Sequence, residues 1–72
     1  MQYFRIYGKE KTEKTFKAYD YSNGSFVKNL IYATLIKESE LEKDQKAIQY
    51  MNNNNPQYIF ELREVKEALP CH

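Results

Sequence analysis

From Gln2 to Tyr7 the side chains alternate, with Phe4 and Ile6 on one side and Tyr3, Arg5 and Tyr7 on the other. That period of two predicts a strand with one buried face, ended by Gly8. Lys9 to Thr15 is polar and mostly charged, so an exposed hairpin loop is expected there. A second alternating run sets Phe16, Ala18 and Asp20 against Lys17, Tyr19 and Tyr21. Either Phe16 with Ala18 or the tyrosine pair can face the core, and the first assignment is preferred. Asn23-Gly24, flanked by Ser22 and Ser25, predicts a two-residue type I′ turn, because both central positions of that turn need positive φ.

Phe26 to Ile36 is apolar or aromatic except for Lys28, Asn29 and Thr34, which is long for one strand in a small sheet. The expected solution is a short arm at Ser25–Val27, an irregular step near Lys28-Asn29, and a principal strand over Ile31–Ile36. In that strand Ile31, Ala33 and Leu35 share one face, and Tyr32, Thr34 and Ile36 the other. Ser39 followed by Glu42 predicts a capping box, and Glu40, Glu42 and Asp44 complement the positive end of a helix dipole. Leu41, Ile48 and Met51, with Ala47 beside them, form the apolar stripe of that helix. Asn52-Asn53-Asn54-Asn55-Pro56 then stops it, through Asn in the left-handed cap conformation and through the restriction that Pro places on Asn55. The last strand is expected at Gln57–Val65, with Tyr58, Phe60 and Leu62 on one face and Ile59, Glu61, Arg63 and Val65 on the other. Lys66 to His72 is expected to fray.

The order β-β-(β)-β-α-β predicts an α+β fold: an antiparallel sheet of three or four strands with one helix packed on one face. Residues 1–66 make a single domain in this reading, with 67–72 as a disordered tail. The chain has 72 residues, and one this short buries only about 60% of the surface its unfolded form exposes. Hydrophobic residues reach 42%, but seven of them are Tyr, so the dry core is thin. Net charge is +1, too little to drive unspecific attraction to nucleic acid or anionic membrane. The charge is unevenly spread. Residues 1–37 carry seven basic and three acidic side chains, and residues 38–72 carry four and seven. A solvated helix with an acidic first turn accounts for this, as does a dipolar molecule whose basic half faces a partner.

Candidate chemistry is sparse. One His rules out a helical metal pair, one Cys a zinc knuckle, and two isolated glycines a phosphate-cradling loop, so neither a cofactor nor a metal is expected. Cys71 beside His72 lacks a third orienting group, and Glu40 with Asp44 resembles a helix start more than an acid/base pair, so no enzyme is expected. The chain begins directly with a strand-like run and has no span of about 20 apolar residues, which predicts a cytoplasmic protein without a membrane partner.

The open face of the sheet is the functional lead. It is expected to display Tyr3, Arg5, Tyr7, Lys17, Tyr19, Tyr21, Tyr32, Ile36, Ile59 and Arg63. The aromatic and basic members, Tyr3, Arg5, Tyr7, Lys17, Tyr19, Tyr21, Tyr32 and Arg63, are the candidate binding residues. Tyr and Arg are the types enriched in interface centres, so the first expectation is a protein partner, including a second copy of the chain as a homodimer. The alternative is a single nucleic-acid strand, its bases stacked on the rings and its phosphates held by the cations. The same tyrosines also serve a plain structural role, since cross-strand Tyr pairs stabilise a thin sheet.

Phe16-Lys-Ala-Tyr-Asp-Tyr-Ser-Asn-Gly-Ser-Phe-Val-Lys-Asn-Leu-Ile-Tyr-Ala-Thr-Leu-Ile36, followed by a capped helix and by Asn55-Pro-Gln-Tyr-Ile-Phe-Glu-Leu-Arg-Glu-Val65, resembles small uncharacterised proteins of phages and mobile elements of Gram-positive bacteria. The Lys-, Asn-, Tyr- and Ile-rich composition also looks like that of an AT-rich genome. The resemblance covers about two thirds of the chain and implies an accessory or host-interacting role, with no residue roles to carry over.

Overall fold

The computed structural model describes residues 2–66; residues 67–72 of the expected frayed tail, with Cys71 and His72, lie outside the described residues. Five strands form one antiparallel sheet: β1 (Tyr3–Glu10), β2 (Lys17–Asp20), β3 (Ser25–Val27), β4 (Leu35–Lys37) and β5 (Tyr58–Glu64). Helix α1 (Leu41–Asn54) packs on one face, so the fold is α+β in the expected element order. β1 is the centre. Along one edge it pairs with β5 from Phe4↔Glu64 to Glu10↔Tyr58. Along the other edge it pairs first with β4 at Tyr3–Arg5 and then with β2 at Tyr7 and Gly8. β2 and β4 therefore follow one another along the same edge, joined where Thr34 N–H donates to Tyr19 O at 3.2 Å and Tyr21 N–H to Thr34 Oγ1 at 2.7 Å. β3 lies outside β2.

The helix-facing side carries the core. Ile6, Ile36, Ile48, Met51 and Phe60 are buried together, with Phe4, Tyr19, Tyr58 and Leu62 packed around them. Phe4, Ile6, Tyr58, Phe60 and Leu62 face the helix as their alternation predicts. Ile36 does not follow its expected face: it lies opposite Phe4 and under the helix, while Leu35 sits on the far side. The expected strand over Ile31–Ile36 is also shorter. A 3₁₀ turn occupies Leu30–Tyr32, started by Asn29, whose side chain accepts from Ile31 N–H at 3.1 Å and whose carbonyl accepts from Tyr32 N–H at 3.0 Å. A side chain that satisfies the backbone locally competes with strand pairing, and here it wins.

Gly8 does not end the first strand; β1 runs two residues beyond it. A Cβ at Gly8 would stand 2.5 Å from Phe60 Cδ1 and 3.1 Å from Phe26 Cε1, so the missing side chain makes room for rings on the helix side. That room also settles β2. Tyr19, and not Phe16 with Ala18, turns toward the helix, where its ring meets Phe60 edge-on at 5.2 Å and Phe26 at 5.1 Å. Ala18 pairs with Tyr7 on the far face instead.

The Asn23-Gly24 turn is not type I′, since Gly24 alone has positive φ, at 65°. The loop is four residues long, between Asp20 and its partner Ser25, and Gly24 N–H closes it onto Asp20 O at 2.8 Å. Asp20 organises it. Its carboxylate accepts from Ser22 N–H at 3.0 Å and from Asn23 Nδ2 at 2.6 Å.

The capping box at Ser39 and Glu42 does not form either. The chain leaves β4 through a 3₁₀ turn at Glu38–Glu40 and enters α1 directly, with no side-chain cap at Glu40. Glu42 and Asp44 still lie in the first helical turn, where the dipole favours them. Ile48 and Met51 are buried and Leu41 and Ala47 half-buried, which is the predicted stripe. At the other end no Asn takes the left-handed conformation. Asn side chains close the helix instead, Nδ2 of Asn54 donating to Tyr50 O and Nδ2 of Asn55 to Met51 O, each at 2.9 Å. Asn55-Pro56 then opens a turn closed by Tyr58 N–H on Asn55 O at 2.9 Å. Asn52 reaches further, accepting from Phe60 N–H at 2.7 Å and donating to Phe60 O at 3.0 Å. Its amide thus stands in for a neighbouring strand at the outer edge of β5, which pins helix to sheet.

Candidate functional site

The face of the sheet away from α1 carries a groove of about 660 Å³, and the residues that build it come from four places in the chain. Tyr7 from β1, Ala18 from β2 and Val27 from β3 lie in successive strands at matched register, Tyr7↔Ala18 and Ala18↔Val27, and form the floor. Phe16, just before β2, closes one side, and Leu30, 43% exposed on the 3₁₀ turn, closes another. Phe26 and Lys28 beside Val27, Lys17, and Arg63 of β5 complete the lining. Small Ala18 makes the depth.

Arg63 is held between two rings. Its guanidinium carbon lies 5.0 Å from the Tyr7 centroid and 4.6 Å from the Phe16 centroid, and Lys9 Nζ approaches Phe16 to 5.4 Å. Such contacts contribute about 0.5–1 kcal/mol each at exposed sites. Arg63 Nε also donates to Glu61 Oε2 at 3.1 Å, and Lys17 Nζ to Glu13 Oε2 at 3.2 Å. Glu13 is the anchor of the β1–β2 loop: its Oε1 accepts from Glu10 N–H at 3.0 Å and its carbonyl from Lys9 Nζ at 2.7 Å. The Glu10 amide first, and Lys17 second, hold its carboxyl below the usual carboxylate range. Lys28 and Arg63 line the groove together with Lys17, whose ammonium is tied to Glu13, and no carboxylate lines it.

The eight candidate residues do not form one surface. Tyr7, Lys17 and Arg63 meet at the groove. Tyr3 and Arg5 share its face lower on β1, but Arg5 is only 8% exposed, cross-strand from Leu35 and Arg63, and so is not a surface cation. Tyr19 is on the helix side, and burial, followed by the neighbouring Tyr21 and Asp20, raises its phenol pKa. Tyr21 lies in the β2–β3 loop and lines a separate pocket with Tyr19. Tyr32 is 67% exposed on the 3₁₀ turn, away from any strand. Phe16 and Ala18 were expected on the core face, and Val27 and Leu30 were given no face; what places Ala18 and Val27 here is the register Tyr7↔Ala18↔Val27.

Among the described residues no three His, Cys, Asp or Glu side chains gather to hold a metal, and no helix is long and apolar enough to cross a membrane. Comparison of the chain with protein-family models, with curated proteins and with solved structures finds no match.

Proposed function

We propose that this protein is a non-catalytic, cytoplasmic binding module that holds an acidic, apolar-bearing segment of a protein partner in the far-face groove. The observation that carries the reading is the open apolar floor of Tyr7, Ala18 and Val27 rimmed by an excess of cations. A floor of this kind takes apolar side chains, and the rim selects carboxylates between them. The phage-like resemblance fits such an accessory, partner-dependent role. The nucleic-acid alternative is disfavoured by the stack itself. Bases would need the faces of Tyr7 and Phe16, and Arg63 already lies against both.

The test is a backbone NMR titration with a 12-residue peptide of alternating Glu and Leu, set beside an oligothymidylate of similar length. Peptide-induced shifts at Tyr7, Ala18, Val27 and Leu30 are expected, with affinity reduced about tenfold in Leu30→Ser at unchanged thermal stability. If the oligonucleotide binds that face more tightly and with steep salt dependence, the protein reading is wrong. Shifts that grow with protein concentration alone identify the partner as a second copy.

A further inference from the structure

On the opposite side of the sheet lies a second, half-open pocket of about 290 Å³, which shares only Phe26 with the lining of the groove. Its walls are Tyr19, Tyr21, Phe26, Tyr58 and Phe60, with Met51 of α1 at its base. The rings are mutually braced: Tyr19 meets Phe26 and Phe60 edge-on, while Phe26, Tyr58 and Phe60 stack with centroids 6.0–6.2 Å apart. None of the described lining residues is basic, in a chain with eleven Lys and Arg. Aromatic rings present negative potential on their faces. Among the described lining residues there is no carboxylate either, and Asp20, between two of the lining tyrosines in the chain, alternates to the other face of β2, so the rings themselves carry the negative potential.

We infer that this pocket binds a quaternary or fully methylated ammonium group by cation–π contact. A primary ammonium is strongly hydrated and carries three N–H groups, and in place of that hydration the lining side chains offer only neutral acceptors, the tyrosine hydroxyls and Asn55. A methylated ammonium needs none, is weakly hydrated, and presents to the rings a surface of methyl groups that shares the positive charge. A neutral ligand of the same shape gains the apolar contact but not the attraction of the rings for a positive charge.

The experiment titrates the full chain with tetramethylammonium chloride at constant ionic strength, and in parallel with neopentyl alcohol, which has a similar branched shape without charge. Backbone NMR shifts and tyrosine emission report binding. Tetramethylammonium is expected to shift Tyr19, Tyr21, Gly24 and Phe26 and to bind about tenfold more tightly than the alcohol. Tyr21 is half exposed, so its replacement spares the core. Tyr21→Phe retains the affinity, and Tyr21→Leu weakens it about fivefold with an unchanged melting curve. Choline, a trimethyllysine peptide against its unmethylated form, and phosphatidylcholine against phosphatidylglycerol vesicles then distinguish free, peptide-borne and lipid sources. Equal binding of the neutral alcohol, shifts confined to other residues, or full affinity in Tyr21→Leu overturns the inference.

Discussion

Gly8 has no Cβ, and the Phe60 ring occupies the place where one would stand. Gly8→Ala forces an aromatic ring out of a core that has little slack, and a loss of about 1–3 kcal/mol is expected in urea denaturation. Phe60→Leu in the same chain relieves the clash, so the double variant is expected to lose less than the two single losses together. Strict additivity would mean the ring and the glycine do not meet. Asn52 makes a comparable point with hydrogen bonds. Asn52→Ala leaves Phe60 N–H and C=O without their partner and costs about 1–3 kcal/mol. Asn54→Ala, which removes one exposed contact to Tyr50 O, stays within about 0.5 kcal/mol. The same urea experiment separates them, and similar losses in both variants would remove the special role given to Asn52.

At the scale of elements, the loops are ordered by side chains that bond to nearby backbone. The β1–β2 loop is gathered on Glu13, whose carboxyl titrates below the usual range because the folded loop supplies N–H donors to its charged form. A depressed pKa means that the contribution is present above the carboxylate range of the unfolded chain and is lost as pH falls through the folded value. Acidification is therefore expected to expose the Glu10 and Glu13 amides to hydrogen exchange, and Glu13→Gln should remove that pH dependence. Tyr19 behaves in the opposite direction. Its raised phenol pKa favours the neutral ring in the folded state, so the β2–β3 region holds its stability below the ordinary tyrosine range and loses it as pH rises from there through the higher folded value. Tyr19→Phe is expected to abolish that alkaline weakening in a pH series of melting curves.

For the whole molecule, the decisive pairing joins the two ends of the described chain. β5 covers one edge of β1 over seven paired positions, and α1 reaches the sheet through β5 and β4. Removing everything after Asn55 is expected to unfold the domain rather than fray it, with loss of dispersed amide resonances across β1 to β4. Retained dispersion would show that the N-terminal strands stand alone. The core remains small. Among the described residues no side chain is less than 2% exposed, so stability at the low end of about 0.05 kcal/mol per residue is expected, or about 4 kcal/mol in all.

Alternation by itself determined the fold class, the element order and the inner faces of β1 and β5, because in a half-buried strand parity and burial are the same information. The helix stripe at Leu41, Ile48 and Met51 was legible for the same reason at a longer period. Parity could not orient β2, where Phe16 with Ala18 and Tyr19 with Tyr21 are both plausible inner faces. The space above Gly8 chose Tyr19, and that space exists only once β5 brings Phe60 across from Gly8. Nor could alternation anticipate Asn29, which turned Leu30–Tyr32 into a 3₁₀ turn by satisfying its backbone locally. The candidate groove follows from these two outcomes. The turned β2 sends Ala18 to the far face beside Tyr7, and the 3₁₀ turn leaves Leu30 at its rim. Local spacing carries the faces of individual strands; which residues from different strands share a surface is set by register, and register is a tertiary property.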